Sequence, residues 1–269
     1  MTFSPLPPTA PTRVDDDRRS RWIADGFVHL PGVLEERDRR HLPEWVDEIS
    51  RSDDPRLLHH HEQTDDGPVL ARTEYFADVH AGLGALVRSG AVAESGAELL
   101  GEPVVLYKEK INFKLAGGAG STAHQDATAY PFIDAHLTCM IAVDPSTESN
   151  GCLEFAAGHH RDLFDDDGDG CLPTAVEQSL EWRPLEMAPG AAVWFHSRTP
   201  HRSADNRSDT PRRAIFLTFN ASSEGDRRED YYAAKRARLA GHTADTRTRV
   251  STIGHFRGRA VDPTPTGGS

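Results

Sequence analysis

Hydrophobic positions along the chain follow two regimes that meet near residue 103. From Arg18 to Asp25 and from Glu35 to Ser50, the apolar residues Trp22, Ile23, Leu42, Trp45, Val46 and Ile49 recur at helical spacing among charges, which predicts two amphipathic helices. Between them, Gly26-Phe27-Val28-His29-Leu30-Pro31 reads as a short strand closed by proline. A third helix is predicted from about Ala81 to Leu100, ended by Gly101 and Pro103. Beyond Val104 the pattern changes to short strands, predicted near 104–115, 122–126, 135–143, 151–156, 183–187, 191–196, 200–204 and 212–220. Turn clusters such as Gly117-Gly118, Pro145 to Gly151, Pro189-Gly190 and Asn206 to Pro211 separate them. Eight short strands behind a helical preface predict a mainly β fold with flanking helices (α+β), a jelly-roll barrel in place of alternating βαβ units. The stretch Arg227 to Leu239 reads as a basic helix flanking the barrel. Residues 1–17 and 241–269, rich in Pro, Thr and small polar residues, are expected to be disordered tails on one domain spanning 18–240.

Composition narrows the function. The 269 residues hold 30 Lys+Arg against 42 Asp+Glu, a net charge of −12, which argues against nucleic acid or an anionic membrane as the partner, since both need a basic face. Cys139, Cys152 and Cys171 are odd in number and unpatterned, so no disulfide framework or CxxC site is indicated and a reducing cytoplasm is expected. The N-terminal stretch carries proline and acid where a signal peptide would have a basic start and an apolar run. A soluble enzyme acting on a small molecule is the expectation, with the oligomeric state open.

His124-Gln125-Asp126, read as part of a strand, presents an imidazole and a carboxylate at i and i+2 on one face, one edge of a metal site. His201, after the predicted strand 191–196, is the candidate third ligand. Two His and one Asp form the facial triad that suits non-haem Fe(II) and leaves positions open for substrate and oxygen. An arginine eleven residues on, Arg212, offers a guanidinium to a dicarboxylate that chelates the metal. Arg213 competes with it, because alternation puts only one of the two inside; spacing from His201 favours Arg212. In the stretch 106–114, alternation sets Lys108, Lys110, Asn112 and Lys114 on one face and Tyr107, Glu109, Ile111 and Phe113 on the other. Three cations on one inward face call for anions to neutralise them.

Together, His124-Gln125-Asp126, Asn150-Gly151-Cys152-Leu153 with Gly158-His159, and His201-Arg202-Ser203 followed by Arg212 resemble the phytanoyl-CoA dioxygenase (PhyH) family of Fe(II)/2-oxoglutarate oxygenases. The resemblance covers roughly residues 18–240 and includes the preface Asp25 to Leu34. It implies a double-stranded β-helix (cupin-like), iron ligands at His124, Asp126 and His201, and 2-oxoglutarate held by Arg212 and Ser203. It also implies contacts to 2-oxoglutarate from Lys114 and Asn112, leaving Lys108, Lys110 and Tyr130 for an anionic substrate. The co-substrates implied are 2-oxoglutarate and O2, and the products succinate, CO2 and a hydroxylated carbon. The carboxylate of Asp126 implies hydroxylation, since related halogenases carry a small residue there. The segment from Lys108 to Tyr130 is further similar to bacterial members acting on aminoethylphosphonate-type compounds, which makes a small phosphonate the expected substrate. His196 departs from the Asp that such relatives often carry. A larger natural product or an acyl-thioester is the alternative within the class, and a non-oxidative cupin isomerase or binding protein the alternative outside it.

Other motifs read more simply. His59-His60-His61-Glu62 is expected to be a solvated loop, Gly117 to Gly120 a hairpin turn, and Asp165 to Gly170 an acidic loop lacking the terminal Glu of a calcium site.

Overall fold

A computed structural model describes residues 11–64, 67–130, 132–134, 136–165, 167–168, 170–240 and 260–261. Two antiparallel sheets face each other, and helices cover the outer face of the larger one. Helix α1 (Asp16–Asp25) starts where the Asp15 carboxylate accepts from the Arg18 amide at 2.9 Å, inside the stretch expected to be a tail. It ends on Gly26 at φ 79°, and the chain turns there into β1 (Phe27–Leu30). Helix α2 (Glu36–Arg51) buries Leu42, Val46 and Ile49, the predicted stripe. Residues 58–74, expected to be loop at the histidine run, form the hairpin β2 (Leu58–Thr64) and β3 (Gly67–Glu74). The imidazoles tolerate this because each finds a place: His59 bonds Thr73 Oγ1 at 2.8 Å and the Ser52 carbonyl at 2.9 Å, while His60 turns inward. The single helix expected over 81–100 is broken into α3 (Ala81–Arg88) and α4 (Gly90–Leu100), because Ser89 is extended at φ −147°.

The barrel strands follow: β4 (Val104–Lys114), β5 (Ser121–His124), β6 (His136–Ala142), β7 (Leu153–Phe155), then a short helix α5 (Thr174–Ser179) that the pattern did not show, β8 (Arg183–Leu185), β9 (Ala192–His196), β10 (His201–Ser203) and β11 (Arg212–Ala221). Helix α6 (Arg228–Ala240) closes the body, and β12 (Ala260–Val261) pairs with β2. The rest of the two expected tails, 1–10, 241–259 and 262–269, lies outside the described residues. The large sheet runs β1-β9-β6-β11-β4-β3-β2-β12 and the small one β5-β10-β7-β8. This is the jelly-roll architecture that the strand spacing predicts.

Strand alternation divides the core in two. Leu137, Cys139, Ile141, Trp194, Ile215 and Leu217 pack outward under α2 to α4. Met140, Ala142, Val193, Phe195 and Ala214 pack inward against Leu153 and Phe155 of the small sheet. One irregularity alters the predicted faces: Thr218 pairs with Lys108 but Phe219 with Leu106, so Tyr107 is the extra residue of a bulge. Its ring therefore turns toward Tyr130 and Tyr231, at 5.3 and 5.0 Å between centroids, and leaves the face of Ile111 and Phe113.

Candidate active site

The three candidate ligands converge at the mouth of the barrel. β10 pairs with β5 so that His201 lies directly across from His124, with ring centroids 4.2 Å apart. β5 ends at His124, and Asp126 opens a 3-10 turn (Asp126–Ala129), so the predicted strand stops two residues early. Gln125 between them is nonetheless extended (φ −120°, ψ 132°), which keeps the imidazole and carboxylate on one side. Gln125 itself points the other way: its amide donates to the carbonyls of Asp162 and Arg198 at 2.8 and 2.5 Å and accepts from the Phe164 amide at 2.9 Å.

Each imidazole is oriented by its Nδ1, at 2.7 Å from the Thr122 carbonyl for His124 and 3.0 Å from that of Thr199 for His201. A carbonyl can only accept, so Nδ1 carries the proton in both rings and Nε2 is left as a lone-pair donor. Burial, followed by the neighbouring His201, pushes the His124 pKa down to about 3, so that ring is neutral. Burial alone would raise the Asp126 carboxyl, but His201, His124 and Lys110 outweigh it and hold the group at about 2. Thr138 Oγ1 donates to Asp126 Oδ2 at 2.9 Å. One ligand atom from each of His124, Asp126 and His201 lies within 4.8 Å of the others, the one such group among the described residues. Two neutral imidazoles and one ionised carboxylate fit an Fe(II) ion with open positions.

The cavity beside this triad is lined at one end by Lys114, Ser203 and Arg212. Arg212 pairs with Lys114 across β11 and β4, while Arg213 points outward to Asp144 and to Asp47 of α2, at 2.7 and 2.6 Å. Arg212 is thus the arginine that lines the cavity. Its Nη2 and Nε donate to the carbonyls of Gly151 and Asn150 at 2.9 and 3.3 Å. Lys114 Nζ donates to Ser203 Oγ and the Gly151 carbonyl, both at 3.1 Å, and to the Ala204 carbonyl. Gly151, at φ 71°, permits this convergence, since a Cβ there would collide with the Ala204 carbonyl and the Lys114 ammonium. Burial and the adjacent Arg212 charge lower Lys114 to about 7, and burial lowers Arg212 to about 10. A dicarboxylate's distal end fits two cations so desolvated and so close.

The same cavity is also lined by Lys110, Arg72 and Asn112. The Lys110 ammonium lies 5.0 Å from the Phe216 ring and has no hydrogen-bond acceptor among the described residues. Burial, with the charges of Arg72 and Lys108 added, lowers its pKa well below the ordinary value. Asn112 Oδ1 accepts from Arg72 Nε at 3.0 Å. Lys108 and Tyr130 lie one layer deeper, the ammonium 5.4 Å from the Tyr130 ring centroid and 5.3 Å from that of Tyr231 on α6. Arg72, Thr138, Gln125 and Tyr231 were missed in the sequence. Arg72 and Glu74 stand at i and i+2 in Leu70 to Glu74, a strand-like signal that the adjoining histidine run obscured.

Residues 22–214 match the family model "Phytanoyl-CoA dioxygenase (PhyH)". The chain belongs to the phytanoyl-CoA dioxygenase family. It is 45% identical to the methylphosphonate hydroxylase of Gimesia maris over 94% of this chain and 99% of that protein. It is 38% identical to the 2-aminoethylphosphonate dioxygenase of an uncultured bacterium, HF130_AEPn_1, over 83% and 88% of the two chains. Its fold is similar to that of EctD from S. alaskensis solved with 2-oxoglutarate and 5-hydroxyectoine, at a TM-score of 0.68, 17% identity and coverage of 80% and 84%. The family member described here is a 2-oxoglutarate-dependent non-haem iron dioxygenase acting on a small molecule. No helix among the described residues is long and apolar enough to cross a membrane.

Proposed function

We propose that this dioxygenase hydroxylates an sp3 carbon of a small phosphonate, converting substrate, 2-oxoglutarate and O2 into the hydroxylated phosphonate, succinate and CO2. The observation that carries the reading is the cation column on the inward face of β4: Lys114, Lys110 and Lys108, with only Lys114 placed beside the Arg212 anchor. In this reading His124, Asp126 and His201 hold Fe(II), and Arg212, Lys114 and Ser203 hold the distal carboxylate of 2-oxoglutarate. Asn112 lines the same cavity and contacts the co-substrate in this reading, while its Oδ1 accepts from Arg72 Nε at 3.0 Å. Lys110 faces the substrate's anionic group, and Lys108 with Tyr130 sets the positive potential behind it. Bound Fe(II) with 2-oxoglutarate would activate O2, the oxidant; the chain's own work is to hold the two anions beside the metal-binding residues. Two relatives whose names specify phosphonates support the substrate class. The buried free thiols Cys139, Cys152 and Cys171 suit a reducing cytoplasmic setting.

The test is turnover of methylphosphonate and 2-aminoethylphosphonate by the Fe(II)-loaded enzyme, with succinate and the hydroxylated phosphonate quantified together. Equimolar formation of both is expected. Succinate release that neither phosphonate stimulates would refute the substrate class.

A further inference from the structure

The carbonyl that orients His201 belongs to Thr199, which lies in no strand: residues 197–200 form the turn that carries the chain from β9 to β10. For His124 the corresponding carbonyl is that of Thr122, inside β5, where pairing with β10 already holds the backbone. A turn has no ladder of its own, so the acceptor of His201 Nδ1 keeps its place only through other bonds.

Those bonds come largely from the metal motifs themselves. All four carbonyls of the turn accept. Ser197 accepts from the Ala127 amide at 2.9 Å, Arg198 from Gln125 Nε2 at 2.5 Å, Thr199 from His201 Nδ1 at 3.0 Å and Pro200 from the Ala156 amide at 3.0 Å. All of these donors except Ala156 belong to the segment 125–127 or to His201 itself. Thr199 fixes the turn from its other side: its hydroxyl donates to the Gly26 carbonyl at 2.7 Å, and its amide to the His196 carbonyl at 2.8 Å. The Gly26 carbonyl also accepts from the His196 amide at 2.9 Å, so the corner between α1 and β1 is the anchor point. Gln125 and Thr199 are both buried. Phe195, 4.6 Å from His201 between ring centroids, limits the tilt of the imidazole, but the Thr199 carbonyl decides which nitrogen is left for a metal.

We propose that Gln125 and Thr199 are positioning residues for the metal centre. By holding the turn 197–200 between the His124–Asp126 segment and the α1–β1 corner, they keep His201 Nε2 in register with the other two ligands. Gln125 stands between two of the ligands in sequence and grips the turn that orients the third, so one side chain couples both halves of the site. The proposal concerns the metal site alone and holds whatever the substrate is.

Anaerobic calorimetric titration of Gln125→Met, Thr199→Val and Thr199→Ser with Fe(II) tests this without turnover, with the visible absorption of the Co(II)-loaded proteins as the signature of ligand geometry. Gln125→Met and Thr199→Val are each expected to lower Fe(II) affinity about tenfold, in the range lost when a group supporting a ligand is removed, and to change the Co(II) spectrum. Thr199→Ser keeps the hydroxyl and should stay within about threefold of wild type with the wild-type spectrum. Thr138→Val acts on Asp126 and not on the turn, so its loss should multiply with that of Thr199→Val. Gln125→Met and Thr199→Val act on one turn, and together should lose less than the product of their separate effects. Melting of the metal-free variants reports the fold; should Gln125→Met not fold, Thr199→Val against Thr199→Ser decides alone. Unchanged Fe(II) affinity in the folded variants would overturn the proposal. Equal losses in Thr199→Val and Thr199→Ser, or a wild-type Co(II) spectrum in Thr199→Val, would overturn the role of the Thr199 hydroxyl.

Discussion

Replacing Arg212 and Arg213 separately by Met isolates what one residue of strand register decides. Both side chains keep their apolar stems as Met and lose the guanidinium. Arg212 spends two donors on the Gly151 and Asn150 carbonyls and faces the cavity beside Lys114, so its remaining donors meet a carboxylate in a desolvated place. A charge-assisted hydrogen bond of that kind contributes about 1.5–3 kcal/mol, which corresponds to a rise in the 2-oxoglutarate Kd of roughly 10- to 150-fold for Arg212→Met. Arg213, with 21% of its side chain exposed, bonds Asp144 through two nitrogens and reaches Asp47 on α2. Its loss should leave the 2-oxoglutarate Kd within about twofold and cost stability instead, about 1–3 kcal/mol for a pair between the exposed and buried limits. The assays are anaerobic titration of the Fe(II) protein, followed by the visible charge-transfer absorption of chelated 2-oxoglutarate, and urea unfolding of both variants. If Arg213→Met lost the band and Arg212→Met kept it, the inward face of β11 would be the opposite one and the anchor assignment would fail.

Thr138→Val removes the hydroxyl that holds Asp126 Oδ2 and keeps the shape; metal affinity should fall about tenfold in anaerobic Fe(II) titration, with little change in melting temperature. Lys114 sits at about 7, well below its ordinary value, so it is charged below pH 7 and loses its proton as the pH rises. The 2-oxoglutarate Kd should therefore be flat below pH 7 and rise by up to about tenfold per unit above it, with proton uptake on binding in calorimetry; Lys114→Arg should abolish the slope. The same depressed pKa means that the unfolded chain binds more protons between pH 7 and about 10.5, so this residue alone makes stability increase with pH across that window. Burial would raise the Glu74 carboxyl, but Lys235 and Lys108 hold it ionised, so Glu74→Gln or Lys235→Met alone should cost about 3–5 kcal/mol in urea unfolding. The double variant should recover only part of that loss, because Lys108 and Arg72 also face Glu74 and stay buried without it.

The metal site and the strands that hold it were legible because their signals are local. An i, i+2 pair in extended backbone and a histidine at the start of a short strand need no distant partner to be recognised. Alternation alone did not decide between Arg212 and Arg213, since it fixes two faces but not which is inside; spacing from His201 favoured Arg212, and the outward partners of Arg213 are Asp144 and Asp47, the latter on a helix some 170 residues earlier in the chain. The histidine run was misread for a similar reason. His59, His60 and Glu62 look like a solvated segment until Thr73, the Ser52 carbonyl and the pairing with β3 are known. Tyr107 was assigned to the wrong face because a bulge leaves no mark in the alternation of a single strand. The break at Ser89 interrupts a pattern whose periodicity is adequate on both sides. The bond from Arg72 Nε to Asn112 Oδ1 was likewise not legible, because it joins residues far apart in the chain on neighbouring strands.

The inward face of β4 works as a ruler. Successive inward residues are two apart, so Lys114 and Lys110 are separated by four residues, about 13 Å of strand at 3.3–3.4 Å each. Lys110 acts electrostatically on His124, Asp126 and His201, so the triad stands near its end of this interval. Two anions held at the ends of such an interval would be kept from meeting each other. Little length is left for the substrate on the Lys110 side, because Lys108 and Tyr130 already close the next layer and Thr218 and Tyr130 stand with their hydroxyls 3.4 Å apart. In the reading proposed above, a substrate anchored at Lys110 would present a carbon close to its own head group. On this geometry, lengthening the alkyl chain of a phosphonate should weaken productive binding before it changes the position hydroxylated.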